Sequence, residues 1–128
     1  MMSESISILV VDDNPSMVRT LADILDVKGF EVQSAYSGAE ALKILRDHPV
    51  DILLTDVRMP GMNGLDLFRG TRKAYPKLVT IFMTAYAADD IIQKGMTEGI
   101  KTVLNKPVDM DLLLSLVSAN KTIITRAG

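Results

Sequence analysis

The stretch DILLTDVRMPGMNG, residues 51–64, joins a continuous apolar run to an acidic residue and then to a loop of proline, glycine and asparagine. A strand that is apolar at successive positions needs cover on both faces, which is typical of a parallel sheet between layers of helices. Asp56 ends that run, so it is either an ordinary turn residue or a carboxylate held at a sheet edge for chemistry. Gly61 and Gly64 are expected to permit the tight loop rather than to contact a ligand.

Outward from this stretch, apolar runs of strand length alternate with segments of helical period. The strand runs are residues 7–11, 30–35, 51–55, 79–84 and 101–105, and the helical segments are 14–25, 37–47, 65–75, 88–99 and 109–120. Five such alternations predict an α/β fold with a doubly wound, five-stranded parallel sheet between helices. Right-handed crossovers favour the flavodoxin-like order 2-1-3-4-5, a (βα)5 three-layer sandwich that binds ligands at the carboxyl ends of strands 1 and 3.

Local signals predict several helix ends and core faces. Asn14 can cap the first helix, with Pro15 in its first turn, and Gly29 is suited to end it. Ser37 and Glu40 stand at capping-box spacing before the second helix. Gly95 is expected to weaken the fourth helix. The last helix is expected to face the core with Leu112, Leu113, Leu116 and Val117.

Composition limits the class of protein. A chain of 128 residues with 48% hydrophobic content fits one domain, residues 1–128, with a core over about 6–119. The net charge of −2 gives no reason to expect direct nucleic-acid binding or a membrane surface. The absence of cysteine excludes disulfides and thiolate metal sites, which suits the cytoplasm. His48, the only histidine, lies in a polar turn and is expected to face solvent.

Polar residues follow four neighbouring strands of the predicted sheet: Asp12 and Asp13, Asp56, Thr84, and Lys106 before Pro107. Each alone could be a cap, a turn residue or a solvated strand end. Together they bring three carboxylates to one edge, where each close pair costs on the order of a few kcal/mol at an effective dielectric near 20. A hard cation such as Mg²⁺, with Lys106 as a fixed positive charge, would compensate. This set predicts phosphoryl transfer onto Asp56.

With these motifs the chain resembles the receiver domain of bacterial two-component response regulators. The matching features are VVDD, LLTDVRMPGMNG, MTAY and LNKP, within a resemblance that runs from Ile6 to Val117. The resemblance implies that Asp56 accepts a phosphoryl group from a phosphohistidine of a histidine kinase or phosphotransfer protein. It also implies that Mg²⁺ is bound directly by Asp13, through water by Asp12, by Asp56 and by the backbone carbonyl of Arg58.

Further roles follow from the same resemblance. Lys106 would pair with one phosphoryl oxygen and Thr84 would hydrogen-bond another, so that phosphorylation moves the loop after Thr84 and changes the face formed by helix 4, strand 5 and helix 5. We also predict a cis peptide bond between Lys106 and Pro107. Receivers usually carry Tyr or Phe where this chain has Val103, so the common coupling of a threonine to an aromatic ring lacks its ring here.

Two residues flank the predicted acyl phosphate. Arg58 and Tyr86 are both large, and we expect them to hinder the hydrolytic water and so lengthen the phosphorylated state. Tyr86 is either a moving aromatic residue or a simple cover of the site, and the cover is favoured.

Three other classes of protein compete with this interpretation. A Mg²⁺-dependent aspartyl-nucleophile phosphatase or phosphotransferase acting on small molecules would need a second acid where Arg58 stands, and a cap. A redox module would need a better phosphate cradle for a flavin, and a pseudo-receiver would not carry the complete residue set. We therefore expect a switch with no separate substrate turnover. We expect its further partner to be a downstream effector or output domain, and a phosphorylation-dependent dimer is a further option. The chain is either a stand-alone receiver or a fragment of a longer regulator or hybrid kinase.

Overall fold

The structure is a computed structural model that describes residues 5–86 and 89–127, with side chains described as far as residue 119. Within these residues five strands alternate with five helices. The strands are β1 (Ser7–Val11), β2 (Glu31–Ala35), β3 (Ile52–Asp56), β4 (Val79–Thr84) and β5 (Thr102–Asn105). The helices are α1 (Pro15–Val27), α2 (Gly38–Asp47), α3 (Gly64–Thr71), α4 (Asp90–Thr97) and α5 (Met110–Ala127).

The strands form one parallel sheet in the order β2-β1-β3-β4-β5, which confirms the predicted fold. Every residue of β3 is buried, as its continuous apolar run predicts. In the pairing of β1 with β3, Val11 lies opposite Thr55. The carboxyl ends of β1 and β3 therefore lie side by side at the point where the chain direction reverses.

Helices cover both faces of the sheet. α1 and α5 pack on one face, where Val18 and Leu25 join Leu113 and Val117 in a single buried cluster. α2 and part of α3 cover the other face around Leu45, and α3 and α4 enclose a third cluster on that face. No helix in the described part of the chain combines the length and the apolar character that crossing a bilayer requires.

The ends of α1 confirm the predicted signals. The side-chain oxygen of Asn14 accepts hydrogen bonds from the backbone N–H groups of Ser16 and Met17, at 3.1 and 3.2 Å. Gly29 follows the helix with φ of 96°, a conformation that favours glycine. His48 caps the end of α2 and is exposed, as expected.

Other helix ends differ from prediction. Ser37 accepts from the N–H of Glu40, but the Glu40 carboxylate accepts from Tyr36 at 2.6 Å, so the predicted capping box is not reciprocal. α3 ends at Thr71 and gives way to a turn, short of the predicted end at residue 75. Helix at residue 75 itself is disfavoured because that residue precedes Pro76. α5 continues beyond the expected end near residue 120 as far as Ala127.

One predicted core residue is wrong. Leu112 is 48% exposed, although Leu113 and Val117 are buried. The N–H of Leu112 donates to the Asp109 carboxylate at the start of α5, which places Leu112 in the first turn. Residues four apart on a helix share a face, so the Leu113–Val117 pair turns towards the sheet and Leu112 turns away.

Gly95 has a packing reason to stand within α4. A methyl group at this position would come within 2.7 Å of the buried Phe82 ring. The absence of a side chain lets α4 lie close against β4, which offsets the low helix propensity of glycine.

Candidate functional site

Backbone hydrogen bonds place the first two acidic positions. The N–H of Asp12, directly after β1, donates to the carbonyl of Ala35 in β2 at 3.2 Å. The N–H of Val57, directly after β3, donates to the carbonyl of Met83 in β4 at 3.1 Å. Sheet hydrogen bonding therefore extends to Asp12 and to Val57, the residue after Asp56. The sheet, rather than a free loop, sets the positions of Asp12 and Asp56.

The loop after Asp56 closes tightly on the strand. The N–H of Gly64 donates to the carbonyl of Val57 at 2.9 Å. A Cβ on Gly64 would lie 2.6 Å from the Asp56 carbonyl oxygen, closer than real Cβ atoms approach. Gly61 has φ of 76°, so both glycines permit the loop as predicted. Asn63 and Asp66 form a capping box at the start of α3 that was not predicted, although their spacing is the usual signal.

The structure brings the predicted charged residues together. Oxygens of Asp12, Asp13 and Asp56 all lie within 4.8 Å of one another. The Lys106 ammonium is 2.7 Å from Asp12 Oδ2 and 3.3 Å from Asp56 Oδ2. One cation therefore bridges two of the three carboxylates, and it is closer to Asp12 than to the predicted phosphoacceptor.

The two acidic residues after β1 differ in what they already bind. Asp12 is 1% exposed, and it accepts from the N–H of Asn14 at 3.0 Å through the oxygen that Lys106 does not contact. Asp13 is exposed, and among the described residues its carboxylate has no partner. A ligand that arrives from solvent meets the free carboxylate of Asp13 before the occupied carboxylate of Asp12.

Burial and neighbouring charge perturb the central pair. Burial, together with the charge of Asp12, raises the pKa of Asp56 above its usual value, although Lys106 and the backbone N–H of Arg58 oppose the shift. Burial lowers the pKa of Lys106, but its hydrogen bond to Asp12 and the charges of both carboxylates outweigh this, so the pKa is raised. Lys106 therefore stays protonated at neutral pH and provides the compensating charge.

Thr84 and Lys106 are joined through the backbone. The N–H of Lys106 donates to the carbonyl of Thr84 at 2.8 Å, and the Lys106–Pro107 peptide bond is cis, as predicted. The Thr84 side chain is buried, and its hydroxyl accepts from the N–H of Tyr86 at 2.9 Å. Tyr86 itself is 70% exposed. Its ring is therefore not part of the core.

The Arg58 side chain lies in an ion pair that was not predicted. Its guanidinium donates to both carboxylate oxygens of Asp89, at 2.6 and 2.8 Å. Asp89 also caps α4 by accepting from the N–H of Ile91. An acidic residue before an apolar helical segment signals the cap, but no sequence period relates positions 31 residues apart.

Val103 lies beside the elements that would move in a switch. It is half-buried in β5 and packs against the cluster that contains Phe82, Ile92 and Ile100. A β-branched side chain here has restricted χ1 freedom and no ring to swing. The structure therefore gives position 103 a packing role between β5 and α4.

The donor set fits a hard divalent cation. Carboxylate oxygens are the ligands that Mg²⁺ prefers in proteins, and it usually keeps several waters beside one or two carboxylates. The oxygens of this cluster are close enough to share one ion, and one of the three residues faces solvent. The same edge carries an ammonium and a buried hydroxyl, the groups that an anionic phosphoryl group needs around it.

Comparison with known proteins agrees with this geometry. Residues 8–118 match the family described as the response regulator receiver domain. The chain is similar to a response regulator receiver protein of Anaeromyxobacter sp. (strain Fw109-5), with 42% identity over 108 residues that cover 84% of this chain and 45% of that protein. It is similar to the sensor histidine kinase RcsC of Escherichia coli, with 38% identity over 111 residues that cover 87% of this chain and 12% of that protein.

Solved structures show the same fold. A CheY-like response regulator receiver domain protein of Methanospirillum hungatei aligns with a TM-score of 0.90 and 26% identity, over 97% of this chain and 99% of that one. The chain spans less than half the length of the curated relatives it matches. The family match nevertheless covers most of the present sequence. The chain therefore belongs to the response regulator receiver domain family, whose members are phosphorylation-controlled signalling switches.

Proposed function

We propose that Asp56 is the phosphoacceptor of this receiver, taking a phosphoryl group from a phosphohistidine of a histidine kinase or phosphotransfer protein. The observation that supports this most is the position of Asp56. It lies on the central strand within 4.8 Å of two further carboxylates, and its Oδ2 is 3.3 Å from the Lys106 ammonium. A carboxylate beside a fixed cation can attack an electrophilic phosphorus that the same cation helps to bind.

Receiver domains generally bind Mg²⁺ at an acidic pocket. We assign the ligands here to Asp13, Asp56 and the backbone carbonyl of Arg58, with Asp12 acting through water. Bound Mg²⁺ would neutralise charge on the phosphoryl oxygens. The free carboxylate of Asp13 suits direct ligation, whereas both oxygens of Asp12 already accept hydrogen bonds.

The protein's own groups then stabilise the product. Lys106 turns from the carboxylates to a phosphoryl oxygen, because phosphorylation adds negative charge and three acceptors at Asp56. Thr84 donates a hydrogen bond from its hydroxyl to another phosphoryl oxygen, which draws the segment after β4 inwards. Arg58 and Tyr86 flank the group and hinder the hydrolytic water.

The output surface of the switch is the face formed by α4, β5 and α5. Two exposed apolar side chains support this choice, Met96 on α4 and Leu112 on α5, at 51% and 48% exposure. Apolar side chains of this kind suit a protein partner. The partner is a downstream effector, an output domain or a second phosphorylated copy, and this domain itself neither binds nucleic acid nor enters a membrane.

We also propose that residues 1–128 form one receiver domain that acts in the cytoplasm and does not turn over a separate substrate. Catalytic release of phosphate from a diffusible ester would contradict it and favour the phosphatase class.

Acetyl phosphate with Mg²⁺ tests the phosphoacceptor directly. The native chain should gain one acid-stable, base-labile phosphoryl group, seen as a mass increase in the intact protein, and the Asp56→Asn variant should gain none. Asp47→Asn is the matched control, because Asp47 is an exposed carboxylate at the end of α2 and should leave labelling unchanged. A native chain that stays unlabelled, or an Asp56→Asn variant that is labelled, would overturn the assignment.

A further inference from the structure

Arg58 contacts both the proposed phosphoacceptor and the start of the neighbouring helix. Arg58 lies two residues after Asp56, and its backbone N–H opposes the rise in the pKa of the Asp56 carboxyl. Its guanidinium makes two hydrogen bonds to Asp89, Nε to Oδ2 at 2.6 Å and Nη2 to Oδ1 at 2.8 Å. A single residue therefore links the site of chemistry to the residue that caps α4.

The Asp89 carboxylate connects Arg58 to the first turn of α4. Its side chain is 5% exposed, whereas that of Arg58 is 56% exposed. The same carboxylate accepts from the N–H of Ile91 at 2.9 Å, so it caps α4 and receives Arg58 at once. A bidentate, charge-assisted pair holds its geometry better than a single contact between two solvated side chains. Arg58 Nη2 also lies 3.6 Å from Asp90, which adds attraction at the same helix end.

We propose that the Arg58–Asp89 pair is a latch that holds the first turn of α4 against the loop after β3 in the unphosphorylated protein. Arg58 is then a positioning residue for the switch, and this inference rests on the phosphoacceptor function proposed for Asp56. A switch needs a second arrangement of α4, and any contact made only in the first arrangement lowers the population of the second. Opening the latch is therefore part of what phosphorylation must accomplish.

Two single variants break the latch in different ways. Arg58→Ala removes the guanidinium but keeps the backbone N–H and carbonyl beside Asp56. Asp89→Asn removes the negative charge but keeps an oxygen that can cap α4, because asparagine is among the best N-cap residues. Each variant should raise the amide hydrogen-exchange rate in the first turn of α4 and the rate of labelling by acetyl phosphate. We expect increases of about two- to fivefold, the range that corresponds to measured strengths of partly exposed ion pairs.

The matched control is Arg69→Ala. Arg69 also donates two hydrogen bonds to one carboxylate, that of Glu98, but this pair lies just beyond the opposite end of α4. Its loss should leave the labelling rate and exchange in the first turn unchanged. Arg58→Lys keeps the positive charge without the paired geometry, so its labelling rate should fall between those of the native protein and Arg58→Ala.

The double variant decides whether the two residues act through each other. Arg58→Ala with Asp89→Asn should label no faster than the faster single variant, because the second change removes nothing further. Additive effects, or an effect of Arg58→Ala that Asp89→Asn does not share, would overturn the latch. Unchanged exchange in both single variants would do the same. If the native protein cannot be labelled, the phosphoacceptor proposal fails, while exchange in α4 still decides whether the pair holds the helix.

Discussion

Gly64 offers a sharp test of how the site depends on backbone packing. In Gly64→Ala the new Cβ would lie 2.6 Å from the Asp56 carbonyl oxygen and 3.1 Å from Val57 Cα. Both are backbone atoms next to a strand that is paired on each side, so they cannot move aside as a flexible side chain would. Forcing an extra carbon into such a contact costs about 1–3 kcal/mol. The helix propensity of alanine returns at most about 1 kcal/mol at this first position of α3.

The clash is therefore expected to exceed the propensity gain. We expect Gly64→Ala to lower the free energy of unfolding by about 1–2 kcal/mol, or the melting temperature by roughly 3–8 °C in a chain of this size. Urea denaturation followed by circular dichroism measures the first quantity. Because the displaced atoms belong to Asp56 and Val57, labelling by acetyl phosphate should also slow in samples that remain folded.

Gly70 provides the control within the same helix. A Cβ there would meet only the Leu42 methyl groups, at 3.8 and 3.9 Å, which is ordinary contact. Gly70→Ala should therefore stabilise the protein by about 0.5–1 kcal/mol and leave labelling unchanged. If Gly64→Ala were as stable as the native protein, or if both variants shifted stability in the same direction, the inferred contact with the Asp56 carbonyl would be wrong.

Three further predictions concern the charged site and its rim. Burial and the charge of Asp12 raise the pKa of Asp56, so the ionised carboxylate destabilises the fold; Asp56→Asn should be more stable than the native protein at pH 7 in EDTA. In urea titrations the difference in unfolding free energy between Asp56→Asn and the native protein should begin to shrink as the pH falls through the raised pKa of Asp56. It should disappear below the pKa of Asp56 in the unfolded chain, near 3.8. A difference that does not change with pH would contradict the raised pKa. Lys106→Met should slow acetyl phosphate labelling about 10²-fold, and a native rate would remove Lys106 from the site. Tyr86→Ala should release phosphate faster than the native protein if the ring hinders water, and unchanged or slower release would refute that role.

The strands could be predicted from short-range patterns, and their order from the right-handed crossover rule. The meeting of the charged side chains at one edge follows from that order. Continuous apolar runs identify the strands, and parallel strands bring their carboxyl ends to one edge. Asp12, Asp56 and Lys106 therefore lie at the same edge of the sheet, because each stands at the carboxyl end of a strand, and the conformation of the loops between the strands does not change this. The capping signals of α1 were equally local, since Asn14 lies within three residues of the N–H groups it binds.

What the sequence did not predict depends on contacts between distant elements. The Arg58–Asp89 pair joins two loops, and the pairs from Arg69 and Arg72 to Glu98 join α3 to the end of α4. Long charged side chains can reach several partners, so sequence period does not select among them. Leu112 was misassigned for a related reason: the apolar period of α5 allows two adjacent faces, and only the packing of the helix on the sheet chooses between them.

Contacts from two sides of the proposed phosphorylation site reach the segment at the start of α4. Thr84 is linked to Lys106 through its carbonyl and to Tyr86 through its hydroxyl, and the Arg58–Asp89 latch meets the same segment from the loop after β3. Gly95 lets this short helix pack closely on the Phe82 ring, and close-packed elements shift between discrete positions rather than deform gradually. On this proposal, a displacement of the first turn tilts α4 about its other end, where Arg69 and Arg72 hold Glu98. The exposed Met96 changes its orientation as the helix tilts, so chemistry at Asp56 reaches a partner surface without a mobile aromatic ring at position 103.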